Sequence, residues 1–184
     1  MGRIEDLATS YERNITAPWQ RNLAGAQKTI FVVYQKEDER KLRARIGDFE
    51  MRTRNAKHGW KFIDLTHLFS DWMSKEEYRE SYFEDPADLK PKLGTDFLRF
   101  ACDEVRSALT AEDVDEDTVV GVLGAAALYG FLHISEVLEK VTADIRGRLL
   151  LFFPGTFEQD IYSLLGARPG WNYLATPITH RQGD

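Results

Sequence analysis

The stretch from Thr118 to Val141, TVVGVLGAAALYGFLHISEVLEKV, constrains this chain more than any other. Val119, Val120, Val122 and Leu123 form an apolar run without polar alternation, the pattern of a strand covered on both faces, so a central place in a sheet is expected. Gly121 and Gly124 leave room for a neighbouring backbone to come close, and Gly130 marks a bend. Ser135 is the expected N-cap of a helix over 136–145. A second apolar run, Leu149 to Phe153, follows the Gly147 stop and is expected to end at Pro154-Gly155. Strand, helix and strand in this order predict a right-handed parallel crossover.

The same pattern occurs earlier. Thr29 to Tyr34 (TIFVVY) reads as a first strand, followed by a helix capped by Asp38 and running to about Lys57. Leu42, Ile46, Phe49 and Thr53 form the apolar stripe of that helix, His58-Gly59 closes it, and Trp60 to Leu65 (WKFIDL) is the second strand. Ahead of this unit, Ile4, Leu7, Tyr11 and Ile15 predict an amphipathic helix that ends before Ala17-Pro18, with Trp19 plugging a core edge. Between the second and third strands lies a long helical insertion. It begins at Thr66, restarts at a capping box over 74–77, breaks at Asp85-Pro86, and ends in a helix over 94–109. Phe97, Leu98, Ala101, Val105 and Ala108 face the core there, with Cys102 as a small core residue. Residues 156–168 read as irregular or briefly helical, with Tyr162, Leu164 and Leu165 inward, and 171–178 as a last strand with Pro177 at an edge. The expectation is a single α/β domain over 1–184: a mostly parallel five-stranded sheet flanked by helices on both faces, with P-loop-like topology but no Walker A loop.

A chain of 184 residues with 43% hydrophobic content suits one domain. One cysteine excludes an internal disulfide framework and a paired zinc motif, and points to a reducing cytoplasm. No apolar run approaches the roughly 18 residues of a membrane span, and the polar opening MGRIEDLATS does not read as a signal peptide. A cytoplasmic, non-membrane protein is expected. Its net charge of −6 argues against general binding to a phosphate backbone. Lys41, Arg45 and Arg52 on one side of the 38–57 helix, and Arg43 and Arg54 on the other, leave DNA binding as an alternative. Interspersed Glu39, Asp48 and Glu50 favour a solvated helix instead.

A parallel sheet raises the question of a nucleotide, because phosphates bind at helix N-termini beyond strand ends. The string GxxxxGK[S/T] does not occur, and the first strand runs into QKEDER, which lacks glycine. Between Gly124 and Gly130 five residues intervene, and Phe131 stands where a phosphate-binding lysine would be. No cofactor is expected. Asp64 and His67 are the best metal candidates, and with them a degenerate P-loop-like or metal-dependent nuclease component is the enzymatic alternative. A two-ligand site is poor, however, and capping of the next helix accounts for Asp64 and Thr66. Asp113, Asp115 and Asp117 resemble the opening of a calcium loop, but Thr118 and Gly124 replace its glycine and its bidentate glutamate. His58 and His133 have no matched carboxylate in sequence, and His180 is expected in a frayed tail. Neither a nucleophile elbow nor an activated cysteine is evident, so no catalytic or metal site is assigned. What remains is aromatic weight in loops and at element ends. Tyr129, Phe131, Phe83 and Trp171 are the candidate partner-interface residues.

The blocks RIEDLATSYER, PWQ, LAGAQKTIFVVYQKEDERKLRARIGDFE, HGWKFIDLT, EYRESYFEDP, RGRLLLFFPG and ARPGWNYLATPIT resemble the BrxB family of bacterial phage-exclusion (BREX) systems over nearly the full chain. The resemblance implies a small cytoplasmic accessory subunit of an anti-phage defence island. Such a subunit is encoded with a large ATPase, an adenine-specific DNA methyltransferase and a PglZ-type protein of the alkaline phosphatase superfamily. The PglZ-type subunit is the partner it implies. No catalytic position is carried by these blocks, so the function expected is that of a non-enzymatic scaffold.

Overall fold

Strands whose every residue is buried have to sit inside a sheet with both faces covered, and two strands of this chain meet that condition along their full length. The computed structural model describes residues 2–180. Its strands are β1 (Thr29–Tyr34), β2 (Gly59–Asp64), β3 (Thr118–Leu123), β4 (Arg148–Glu158), β5 (Ile161–Leu164) and β6 (Thr176–Thr179). β1 and β3 are the two that are buried throughout. The order is β2-β3-β4-β1-β6, with every neighbouring pair parallel, and β5 pairs antiparallel with the far half of β4. The protein is thus the α/β domain expected, with a short hairpin added to the five parallel strands.

Alternation along the strands divides the core in two. Phe31 and Val33 of β1, Val120 and Val122 of β3, and Leu149, Leu151 and Phe153 of β4 face one side. Helices α4 (Leu68–Lys75), α5 (Arg79–Glu84), α7 (Leu98–Leu109) and α8 (Ile134–Val141) cover that side. Ile30, Val32, Leu150 and Phe152 face the other, under α1 (Arg3–Thr16), α2 (Glu39–Ala44) and α3 (Ile46–Asn55). A short α6 (Lys90–Lys92) and a π-helical turn over Leu93–Phe97 lead into α7. Fully buried side chains such as Phe31, Phe152 and Phe153 each contribute about 1.5–3 kcal/mol, so the β1-β4 pair supplies much of the stability. No helix among the described residues is long and apolar enough to cross a membrane.

Several local expectations are corrected. The middle strand is β4, because β2 takes the edge beyond β3. Pro154-Gly155 does not stop β4. Antiparallel pairing of Gly155 with Leu164 carries the strand on, and a Cβ at Gly155 would lie 2.1 Å from the Ser163 carbonyl oxygen, so only glycine permits that approach. Residues expected to be irregular therefore form a hairpin, with Tyr162 buried as anticipated. The last strand is only Thr176–Thr179, and Trp171 makes an isolated bridge to Tyr162. Helix 38–57 is two helices, broken at Arg45 (φ −115°, ψ 12°). Ser74 donates to the Asp71 carbonyl in the last turn of α4 rather than opening a capping box. Ser135 lies inside α8, whose N-cap is His133, since that helix starts earlier than expected. Gly121 leaves room for the Trp60 ring rather than for backbone. His180 is half-buried, with Nδ1 3.3 Å from Asp6 of α1, not frayed.

Candidate functional site

The carboxyl ends of parallel strands are where α/β folds hold ligands, above all where the chain reverses direction. Here the chain leaves β1 toward the α2-α3 face and leaves β2 and β3 toward the other, so the reversal falls between β1 and β4. A cleft of about 470 Å³ lies there, lined among others by Arg3, Tyr34, Asp38, Thr156, Glu158 and His180.

Asp38 is the organising residue of the cleft. It closes the short turn Lys36–Asp38 after β1 and is only 2% exposed, yet its side chain caps no helix. One oxygen pairs with Arg3 Nε at 2.7 Å and the other with Lys41 Nζ at 3.3 Å. The hydrogen bond from Arg3 holds the carboxyl below the usual range; burial opposes this, and Lys41 adds to it. A phosphate would therefore meet Glu37, Asp38 and Glu39 in succession at the start of α2, a helix of six residues. Their negative charge repels it.

Beside the cleft a second network closes the end of β2. Tyr34 donates to Glu39, and Arg43 donates from Nε to Glu39 at 2.7 Å, from Nη1 to Asp64 at 3.0 Å and from Nη2 to the Thr66 hydroxyl at 2.8 Å. Asp64 Oδ1 also accepts from the Thr66 amide at 3.0 Å. Burial works against ionised Asp64, but these bonds from Thr66 and Arg43 keep its carboxyl below the ordinary range. Gly124 (φ 91°) packs against the network, since a Cβ there would stand 2.6 Å from the Thr66 amide and 2.8 Å from Asp64 Oδ1. Both Asp64 oxygens are engaged, and no group of three or more His, Cys, Asp or Glu side chains suited to a metal is found among the described residues. His67 is the N-cap residue of α4, contributing its carbonyl to Ser70 and Asp71.

Three further arginines at the start of and along α3 are likewise paired. Arg45 meets Asp48, Arg54 meets Glu50, and Arg52 reaches across to Glu12 of α1. Of the three loop aspartates, Asp113 binds Lys61, Asp115 accepts from Thr118, and Asp117 faces Arg21.

The interface candidates separate into two groups. Tyr129 is 54% exposed and Phe131 37%, on either side of Gly130 in the loop after β3. One face of Phe131 stacks on Phe69 (centroids 4.2 Å apart), which in turn meets Trp72 and Phe97. Phe83, at the end of α5, is 70% exposed. Trp171 is half-buried against Phe31, Phe153 and Tyr162, so its ring packs the core. Sequence reasoning singled out Asp64 but missed Arg43 as its partner and Asp38 as a buried anion. For Asp38 the sequence signal was Lys41 at helical spacing, and for the Arg43–Asp64 pair, 21 positions apart, there was none. Comparison with family models, curated proteins and solved structures finds no match to this chain.

Proposed function

We propose that the protein is a non-enzymatic accessory subunit of a BREX-type phage-defence system and that it binds the PglZ-type subunit. The sequence resemblance to the BrxB family supplies the role. The structural observation that supports it is the paired charge at the carboxyl edge: Arg43 is held by Glu39 and Asp64, and Asp38 by Arg3 and Lys41, while Tyr129 and Phe83 stay exposed. Exposed aromatics of this kind are the residues that anchor interfaces. The docking surface proposed uses Tyr129, Phe131 and Phe83.

Co-expression with the whole defence set, followed by capture through a tag on this chain, tests the reading. The PglZ-type subunit is expected to co-purify and to be lost when Tyr129 and Phe83 are both replaced by serine. Elution of the protein alone from the intact set would sink the assignment. So would saturable nucleotide or divalent-metal binding in calorimetry that Asp64→Ala abolishes, because an enzymatic component would then be the better account.

A further inference from the structure

A cavity of about 260 Å³ opens at the amino ends of β1 and β4, lined by Arg21, Lys28, Arg146 and Arg148 together with Glu116 and Asp117. Arg21 engages both carboxylates, at 2.7 Å and 3.4 Å, and all three side chains are well exposed. The other three cations form no ion pair among the described residues. Arg148 donates to the carbonyl oxygens of Gly147 (3.0 Å) and Gln20 (3.1 Å), Arg146 to that of Val114 (2.8 Å), and Lys28 to that of Ile145 (3.4 Å). Arg148 is only 9% exposed. A buried guanidinium without a counter-ion is costly, and half-buried Lys28 and exposed Arg146 bring further positive charge to the same cavity.

We propose that this cavity binds a phosphate-type dianion, either free phosphate or the phosphate of a small monoester. Four cations against two carboxylates leave a formal charge of +2 on the lining, in a chain of net charge −6, and a dianion neutralises it. Donors remain for the ligand. A guanidinium carries five N–H groups and an ammonium three, and the carbonyl bonds of Arg148, Arg146 and Lys28 use only some of them. Their convergence from β4, from the turn before it and from the turn before β1 suits a tetrahedral oxyanion. The Trp19 indole fixes the wall, with the Arg148 guanidinium 4.5 Å over its ring and His58 stacked on it at 3.8 Å. That ring is therefore taken, which leaves no stacking platform for a base. Burial lowers the Arg148 pKa from its ordinary value, and a bound anion would act in the opposite direction by favouring the charged guanidinium.

Calorimetry and thermal unfolding of the full chain test this, using inorganic phosphate and glycerol phosphate against sodium chloride of equal ionic strength. Saturable binding of inorganic phosphate is expected, weakened about tenfold by Lys28→Gln and again by Arg146→Gln, both of which leave buried Arg148 in place. For the monoester the affinity should also drop as pH falls through the second phosphate ionisation, near about pH 6. Binding of both probes assigns the site to monoesters, and binding of inorganic phosphate alone to the free ion. Stabilisation no greater than that by chloride, or binding that survives the Lys28→Gln, Arg146→Gln double variant, overturns the proposal. Circular dichroism of each variant separates lost binding from lost folding.

Discussion

The two ends of the sheet manage charge in opposite ways. At the carboxyl end Arg3, Lys41 and Arg43 each meet a carboxylate, and Asp38 is buried only because two cations reach it. At the amino end Arg148, Arg146 and Lys28 meet only carbonyl oxygens. Ligands of open parallel sheets ordinarily collect beyond the carboxyl ends, where free N–H groups and helix N-termini point outward. In this protein Arg3, Lys41 and Arg43 at that end are met by its own carboxylates, and the buried cation without an ion pair among the described residues, Arg148, sits at the other. Strand order thus fixes where the ends are, while the pairing of individual side chains decides which of them is left with something to bind.

The largest effect should come from the buried arginine. Arg148→Ala removes two carbonyl hydrogen bonds and the contact with Trp19 that ties the 17–22 loop to β4; these losses outweigh the relief of an unpaired buried charge, and the net cost should be about 2–4 kcal/mol in urea unfolding. Arg43→Ala at the carboxyl end removes more ion pairs, yet those pairs are about a third exposed and water-screened, so its cost should stay near about 1 kcal/mol. Equal costs would erase the contrast between a buried unpaired cation and a surface network.

How far this contrast was legible in the sequence depends on distance along the chain. β1 and β3 could be placed from unbroken apolar runs such as TIFVVY, because burial on both faces leaves no alternation to misread. The hairpin was not legible, since Pro154-Gly155 is a stop signal in every local sense and only the approach of Ser163 reveals why glycine is there. Asp64 stood out as a strand-end carboxylate, but its engagement by Arg43 spans 21 positions. The amino-end cavity was least visible of all. Arg148 reaches Gln20 across 128 positions, and each of its cationic neighbours, read alone, is an ordinary loop or strand-end residue. Local pattern supplies elements; charge partners require the fold.

Acid should act on the carboxyl end through Asp38 and Asp64, whose carboxyls are both held below their ordinary values. A depressed folded-state value means stability that is present above the unfolded value of about 3.9 and lost as pH falls through the folded one. Unfolding midpoints should therefore be flat from neutral pH down to about 4 on account of these groups, and fall below it. Asp113 and Asp115, in the loop before β3, share that direction, so the comparison rests on variants. Asp38→Asn with Asp64→Asn should lower stability at pH 7 and shallow the acid limb. An unchanged limb would show that the carboxyl-end pairs are not what acid removes. A smaller effect is expected where α1 meets α3: Arg52→Ala breaks the bond to Glu12 and should cost about 0.5–1 kcal/mol.

The smallest effect on stability is expected at the proposed docking residues, and there the smallness is informative. Tyr129 and Phe83 are both more than half exposed, so Tyr129→Ser and Phe83→Ser should each change the unfolding free energy by less than about 0.5 kcal/mol. Phe131 differs, because its stack on Phe69 links it to Phe97 and Trp72; Phe131→Ser should cost about 1 kcal/mol and blur folding with binding. An aromatic side chain that folding does not use, beside one that folding half uses, is the signature expected of a surface completed by a partner. If Tyr129→Ser proves as destabilising as Phe131→Ser, the loop after β3 belongs to the core, and the carboxyl end is closed by its aromatics as well as by its charges.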